Sequence, residues 1–164
     1  MANMLKKLRK KLKLRYSITK RSLMTPPFPK NRDGKVLIHV GCGKRNSPEF
    51  INIDAVPLAH VHIVTDEITS LDDFADDTVD LVYMCHILEH IPHTQLNDVL
   101  LEMKRILKPG GVLRLSVPDF DHLVELYNAS GKDVTAISRQ LMGGQDDQYN
   151  VHYLIFSNQY LSGL

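Results

Sequence analysis

Residues 35–43, with the sequence KVLIHVGCG, decide the fold of this 164-residue chain. A short apolar run ends at Gly41 and Gly43, which is typical of a buried strand in a parallel sheet. Just before it, residues 25–34 (TPPFPKNRDG) are rich in proline and predict a linker that ends in a turn. The folded unit is therefore predicted to begin near Lys35.

Similar apolar runs recur along the rest of the chain. They predict strands in EFINIDAV (49–56), HVHIVTD (60–66), TVDLVYMC (78–85) and GVLRLSVPDF (111–120). Between the last two, residues 93–108 carry apolar side chains every three or four positions, which predicts an amphipathic helix that ends at Pro109. Helical patterns also cover 121–127 and 134–142. This order predicts an α/β fold with a doubly wound, mostly parallel sheet of the Rossmann-like type.

Charge is distributed unevenly along the sequence. Residues 1–35 contain twelve Lys/Arg against Asp33 alone, whereas the remainder contains eight Lys/Arg against eighteen Asp/Glu. In residues 1–21, Leu5, Leu8 and Leu12 recur at helical spacing among lysines, a pattern that suits the surface of an anionic membrane. A solvated leader, or a helix packed on an acidic partner or on its own domain, is the alternative. Nucleic acid is disfavoured because no aromatic interleaving accompanies the charge.

Composition indicates one globular domain. We predict a basic arm and linker over residues 1–34 and a single domain over residues 35–164. No apolar run approaches the roughly 18 residues of a membrane span. Cys42 and Cys85 lie in apolar stretches and imply no disulfide framework, so a cytoplasmic location is predicted. The basic arm adds the prediction that the protein is peripheral to a membrane.

Glycines and carboxylates fall at the predicted strand ends, where open α/β sheets bind ligands. Gly41 and Gly43 permit close approach of a ligand to the backbone. The Asp54 carboxylate can accept hydrogen bonds from both hydroxyls of a ribose, and Asp66 can accept one from an adenine amine. Asn46 stands where a dinucleotide fingerprint needs its third glycine, which disfavours a pyrophosphate. The pattern predicts a nucleoside site, although each acid alone is also a common turn residue.

A second hypothesis comes from the motif H-x-x-E-H, formed by His86, Glu89 and His90. This spacing occurs in inverted zinc proteases, where both histidines bind zinc and the glutamate acts on the metal-bound water. His93, His122 and His152 are the candidates for a third ligand. Pro92 leaves little room for the sustained helix that such a motif requires, so the prediction for a metal is none and the zinc hydrolase remains an alternative.

Four blocks of this sequence, in this order, resemble the class I S-adenosylmethionine-dependent methyltransferases. They are VLIHVGCG (36–43), INIDA (51–55), DDTVDLVYMCHILEHI (76–91) and LLEMKRILKPGGVLRLSVPDF (100–120). The resemblance runs from about Lys35 to Tyr127. The segments INID, HILEH and VPDF, followed by GGQ and by His152, are most similar to methyltransferases of polysaccharide or cell-surface glycan synthesis.

The resemblance implies the cofactor S-adenosylmethionine, no metal as a rule, and an acceptor that is a sugar or glycan hydroxyl or another small molecule. It implies that the cofactor is bound by residues of the strand ends and their loops, namely Gly41, Cys42, Gly43, Asp54, Asp66, Ile68, Cys85 and His86. His86 is the first candidate for a general base, with His90 and Asp119 as weaker candidates and His152 as a substrate contact. His39 departs from the family, which has an acid at this position.

The family's sheet has seven strands and ends in an antiparallel hairpin, whereas this sequence stops at SNQYLSGL (157–164). We therefore expect a C-terminally incomplete domain of about five strands. Its open sheet edge is a candidate surface for a homo-oligomer. A non-catalytic module that retains only the fold is the remaining alternative.

Overall fold

The computed structural model describes residues 2–31 and 33–164, so Met1 and Arg32 of the predicted arm and linker lie outside the described residues. Five parallel strands form one sheet in the order β3-β2-β1-β4-β5. The strands are β1 (Leu37–Val40), β2 (Ile51–Asp54), β3 (Ile63–Val64), β4 (Val79–Cys85) and β5 (Leu107–Ser116). The helices are α1 (Ala2–Leu23), α2 (Leu96–Ile106), α3 (Phe120–Ala129), α4 (Ser138–Met142) and α5 (Asn158–Ser162). The predicted α/β parallel sheet is confirmed.

The strand order reverses beside β1. The chain moves outward from β1 to β2 and β3, and then returns to place β4 on the other side of β1. Ile38 pairs with Ile51 on one side and with Val82 on the other, and all three side chains are buried. Because the strands are parallel, the loops after β1, β2 and β4 meet at one edge, where such sheets bind ligands.

Helix α2 covers one face of this sheet, as its periodicity predicted. Leu96, Val99, Met103 and Ile106 are buried in the same cluster as Ile38. These residues recur at intervals of three and four, so they share one face of the helix. A single 3₁₀ turn, His93–Gln95, precedes the helix.

Strand β5 begins earlier than predicted. The Pro-Gly-Gly turn was expected to separate α2 from a strand starting at residue 111, but Leu107 already pairs with Val79. The next aligned pair is Leu81 with Val112, so the extra residues of β5 form a bulge. Gly110 adopts a left-handed φ of 80°, and Pro109 has no N–H to donate to a ladder. The turn is therefore absorbed into the strand as an irregularity.

The arm forms a helix whose C-terminal part is docked on the domain. The Arg21 guanidinium donates to the carbonyls of Val61 (2.6 Å) and His62 (3.0 Å). Ser17 Oγ accepts from the Ala59 N–H at 2.9 Å, and Ile18 packs on a small buried cluster. Packing on the chain's own domain, one of the alternatives, is thus observed for this end. Among the described residues, no helix combines the length and apolar character that a membrane span requires.

Candidate functional site

A cavity of about 520 Å³ opens at the carboxyl edge of the sheet. Its walls come from the ends of β1 and β2, the loop after β3, the loop after β4 and a distant C-terminal segment. The wall residues used below are Gly41, Asp54, Asp66, Ile68, Ile87, His90, Asp147, Gln148, Tyr149 and Tyr153. Several of the predicted site residues therefore lie around one cavity at this edge of the sheet.

The glycine turn after β1 is held against the end of β2. The N–H groups of Gly41 and Cys42 both donate to the Ile53 carbonyl, at 2.9 and 3.1 Å. Gly41 has a φ of 66°, and a Cβ at this position would lie 1.8 Å from Ile87 Cδ1. Glycine is therefore required here so that the Ile87 side chain can lie against the backbone and form part of the cavity wall.

Asp54 is the most firmly oriented acid of the site. Its Oδ2 accepts a hydrogen bond from the Gly43 N–H at 2.6 Å, and its Oδ1 accepts one from the Val56 N–H at 2.8 Å. Each carboxylate oxygen has a second lone pair that remains available. A fixed carboxylate with two free acceptor positions fits the two hydroxyls of a ribose, so the residues present suit a nucleoside.

Asp66 and Ile68 occupy the next part of the wall. The Asp66 side chain is exposed at the cavity rim, whereas Ile68 is buried with 9% of its surface accessible. An apolar surface beside a hydrogen-bond acceptor suits a flat heterocycle with an amino group. Of the predicted cofactor-binding residues, the cavity thus brings together Gly41, Asp54, Asp66 and Ile68.

The Cys42 side chain does not contribute to this cavity. It is buried against Leu58 and Val61, in the cluster on which Ile18 of α1 packs. Burial, reinforced by the nearby Asp54 carboxylate, raises the pKa of Cys42 to about 12. Only its backbone is available for a role in binding, and the same is true of Gly43, which holds Asp54. The local sequence around Cys42 does not predict this burial, because the cluster is completed by Ile18 of the distant helix α1.

His39, where the family has an acid, faces away from the cavity. Its ring is 4% exposed and packs between Phe50 and Tyr83, with a centroid separation of 5.0 Å from the Tyr83 ring. Nδ1 of His39 lies 3.3 Å from Ser47 Oγ. Burial lowers the pKa of this histidine, which favours the neutral ring. His39 is therefore a packing residue, on the face of the sheet opposite to helix α2.

His86 follows β4 directly, in a left-handed conformation with a φ of 57°. The side chain of His86 is 59% exposed, and its Nδ1 lies 2.9 Å from Oε1 of the buried Glu89. A carboxylate partner selects the tautomer with the proton on Nδ1, which leaves the Nε2 lone pair free. This arrangement can accept a proton from a bound group. Neither His86 nor Cys85 is part of the cavity wall itself.

His90 has different contacts from His86. Residues Leu88–His90 form a single 3₁₀ turn, so the sustained helix that would place both motif histidines on one face is absent from the described part of the chain. His90 instead meets His152, with ring centroids 4.7 Å apart. Burial, followed by the proximity of His90, lowers the pKa of His152. The zinc-protease arrangement of His86 with His90 is therefore not formed.

Asp119, one of the two weaker catalytic candidates, caps a helix. Its Oδ1 accepts from the Asp121 N–H at 3.1 Å at the start of α3. The side chain is exposed, and the residue is not part of the cavity wall. Its position is explained by the cap.

Part of the cavity wall was not predicted from the sequence. Asp147, Gln148, Tyr149 and Tyr153 contribute to it from a segment after α4. The Tyr153 N–H donates to the Glu89 carbonyl at 2.7 Å, which attaches this segment to the loop after β4. The only available signal was two tyrosines in a polar stretch, which is a weak signal.

Comparison with known proteins agrees with this geometry. Residues 42–115 match the family described as a methyltransferase domain. No curated protein matches the sequence at a significant level. A solved structure from Thermotoga maritima, described as an S-adenosylmethionine-dependent methyltransferase and possible histamine N-methyltransferase, superposes with a TM-score of 0.53 at 17% identity. A structure described as an S-adenosylmethionine-dependent methyltransferase from Archaeoglobus fulgidus gives a TM-score of 0.53 at 18% identity.

The alignments cover 98% of this chain and 74% of the Thermotoga chain, and 94% of this chain and 66% of the Archaeoglobus chain. At 17% and 18% identity, the similarity shows that this chain shares the fold of these two proteins.

Proposed function

We propose that this chain is a class I S-adenosylmethionine-dependent methyltransferase and that it transfers the methyl group to a hydroxyl of a sugar or glycan. The observation that carries the proposal is the Asp54 carboxylate, held by two backbone N–H groups at the rim of the glycine turn. S-adenosylmethionine is the cofactor and supplies a methyl group activated by its sulfonium centre.

The cofactor-binding part of the cavity is assigned to residues that are already ordered. Asp54 would hold the ribose hydroxyls, and Asp66 with Ile68 would hold the adenine. Gly41 and Ile87 form the wall next to the reacting end. Because these groups are positioned by the backbone of β1 and β2, little ordering is needed when the cofactor binds.

His86 is proposed as the general base. Its Nδ1 faces Glu89 Oε1 at 2.9 Å, so the carboxylate orients the ring and supports a positive charge on it. The free Nε2 can take the proton of an acceptor hydroxyl. Exposure of 59% of the side chain leaves this nitrogen accessible to an incoming substrate.

A carbohydrate acceptor is supported by the C-terminal part of the cavity wall. Tyr149 and Tyr153 present partly exposed rings, and Gln148 lies beside Tyr149 in the same wall. Aromatic faces with nearby amide and hydroxyl groups suit the apolar and polar faces of a sugar ring. The resemblance of HILEH and VPDF to enzymes of glycan synthesis points to the same class of acceptor.

Calorimetry with S-adenosylhomocysteine tests cofactor binding. We expect the wild-type chain to bind, and Asp54→Ala to weaken binding about tenfold to a hundredfold, because two hydrogen bonds to a charged acceptor are lost. Asp73→Ala, at an exposed carboxylate outside the cavity, is the matched control and should bind like wild type. Absence of binding by the wild-type chain would contradict the proposal and favour a non-catalytic module.

Methyl transfer is tested with a panel of acceptors. Sugars and oligosaccharides are compared with amines and peptides, and a methyl ether is identified by mass spectrometry. His86→Ala should lower the rate about a hundredfold or more while S-adenosylhomocysteine still binds. His93→Ala, an exposed histidine of the following turn, should leave the rate unchanged. Methylated amines with no methyl ether would overturn the hydroxyl assignment.

We also propose a cytoplasmic location, in which the basic helix α1 holds the protein at an anionic membrane surface through residues 1–21. Leu5, Leu8 and Leu12 are each more than half exposed, next to a series of lysines. Flotation with vesicles that contain phosphatidylserine should recover the protein, whereas neutral vesicles should not. A variant with Leu5→Glu and Leu8→Glu should lose recovery, with Lys132→Gln as a distant control. Equal recovery with both kinds of vesicle would reject the assignment.

The outer edge of β5 is proposed to associate with a second copy of the chain. Within the described residues, β5 has a strand neighbour on one side only, and Val112 on it is 47% exposed. Free backbone groups on such an edge favour pairing with another strand. Light scattering should report a dimer that Val112→Pro dissociates. A monomer at all accessible concentrations would exclude this.

A further inference from the structure

Three side chains with metal-binding atoms converge behind the cavity wall. The ligating atoms of Glu89, His90 and His152 all lie within 4.8 Å of one another. Two of these residues follow β4, and the third comes from the segment after α4. His90 is also part of the cavity wall, so the cluster borders the place where the acceptor would bind.

The Glu89 carboxylate has one oxygen without a partner. Oε1 faces His86 Nδ1, whereas Oε2 is buried and accepts no hydrogen bond from any described residue. The residue is 1% exposed. A buried, charged carboxylate oxygen is strongly disfavoured unless a hydrogen-bond donor or a cation compensates it. The orphaned oxygen indicates that a positively charged ligand belongs at this position.

Both histidines are arranged as metal ligands usually are. Nδ1 of His90 lies 2.9 Å from the Val151 carbonyl, and Nδ1 of His152 lies 2.9 Å from the Gln140 carbonyl. A carbonyl can only accept, so the proton is on Nδ1 in each ring and the Nε2 lone pair is free. Metal-bound histidines are held in this way by a hydrogen bond from the other ring nitrogen to a carbonyl or carboxylate.

We propose that Glu89, His90 and His152 bind one divalent transition-metal cation. Two imidazoles and one carboxylate form a ligand set that suits Zn²⁺, Mn²⁺ or Fe²⁺ and that leaves coordination positions open. This set differs from the one that the H-x-x-E-H motif suggested, because His152 replaces His86. His86 keeps its contact with Glu89 Oε1 while the cation takes Oε2.

An open position on this cation gives it a role in acceptor binding, a role that rests on the proposed function. The cation lies on the side of the cavity that His90 forms, where the oxygen of an acceptor hydroxyl can coordinate. Coordination to the cation polarises the O–H bond of the acceptor hydroxyl. It also fixes the oxygen in one place, which selects an acceptor with a hydroxyl over one with an amide or a thioether.

Metal titration of the full chain tests the site. The protein is stripped with a chelator, and then titrated with Zn²⁺, Mn²⁺ and Mg²⁺ by calorimetry, with bound metal counted by mass spectrometry. We expect one Zn²⁺ or Mn²⁺ per chain and much weaker Mg²⁺ binding, because Mg²⁺ prefers oxygen ligands. His152→Ala and Glu89→Gln should each weaken binding at least tenfold. His122→Ala, an exposed histidine outside the cluster, should bind as wild type does.

S-adenosylhomocysteine binding is measured on the same proteins. His152→Ala is expected to retain it, which shows that this variant is folded even if Glu89→Gln is not. No bound cation in the wild-type chain, or equal losses in His152→Ala and His122→Ala, would overturn the metal site. Cation binding without S-adenosylhomocysteine binding would instead leave the metal site intact and overturn the proposed function.

Discussion

His90 and His152 lie edge to face with ring centroids 4.7 Å apart, although they are distant in sequence. The contact is made because the segment after α4 returns across the end of β4. The Tyr153 N–H donates to the Glu89 carbonyl at 2.7 Å, and His90 Nδ1 lies 2.9 Å from the Val151 carbonyl. One wall of the cavity is therefore built by residues from both parts of the chain.

Gly41→Ala is predicted to destabilise the protein and to weaken S-adenosylhomocysteine binding. The new Cβ would meet Ile87 Cδ1 at 1.8 Å, and the φ of 66° disfavours alanine, so we expect a loss of about 2–4 kcal/mol. Gly110→Ala is the control, since it has a φ of 80° with nothing within 4 Å. In the double variant Gly41→Ala with Ile87→Ala, the clash is removed, so part of the lost free energy of unfolding should be recovered. Urea denaturation of the single and double variants measures this as a coupling energy. Additive losses would contradict the contact.

Glu102→Ala is predicted to lower the free energy of unfolding by about 2–3 kcal/mol. Glu102 is 7% exposed and accepts from Arg105 Nη2 (2.6 Å), Arg105 Nε (2.7 Å) and the Leu71 N–H (2.6 Å). Its removal leaves the Leu71 N–H without a partner. Lys104→Ala, exposed on the same helix, should change stability by less than about 0.5 kcal/mol. Equal effects of the two substitutions in urea denaturation would contradict this role.

Stability is predicted to fall as the pH drops below about 6.5, the ordinary histidine pKa. Burial lowers the pKa of both His39 and His62, so the unfolded chain binds protons before the folded chain does. The stabilisation is complete above pH 6.5 and is lost progressively as the pH falls towards the folded pKa values. His62 Nδ1 accepts from the Asn52 N–H at 2.8 Å, a bond that a proton on Nδ1 would break.

The contribution of His62 is isolated by His62→Asn, whose side-chain oxygen can replace Nδ1 as an acceptor without titrating. Urea midpoints at pH 7.5 and 5.0 should differ less for this variant than for wild type. His122→Asn, at an exposed ring, should retain the wild-type difference. A pH dependence unchanged by His62→Asn would show that other groups cause it.

Cys42 is predicted to resist alkylation in the native protein. Its side chain is 3% exposed, and its pKa of about 12, against an ordinary value of 9.0, leaves roughly a thousandfold less thiolate at pH 8. Iodoacetamide followed by peptide mass spectrometry should modify the partly exposed Cys85 first. Both cysteines should react in urea. Faster modification of Cys42 than of Cys85 would contradict its burial beneath α1.

Local patterns determined the elements of this protein. The apolar runs around Ile38, Ile53 and Val82 predicted buried strands, and the three-and-four spacing from Leu96 to Ile106 predicted a helix on the sheet. The sequence also predicted that the glycine turn and Asp54 lie at one edge of the sheet, because the carboxyl ends of parallel strands share an edge. These features depend on neighbours within a few residues and on the periodicity of strands and helices.

The tertiary structure alone decided which of these side chains meet. The Pro-Gly-Gly segment forms a bulge within β5 because Leu107 pairs with Val79 of β4. The Cys42 side chain is buried because α1 packs on its cluster. His86 and His90 belong to one motif, yet His86 contacts Glu89 and the His90 ring packs against His152. Such contacts depend on how distant segments pack and on which buried polar groups must be compensated, which local periodicity does not specify.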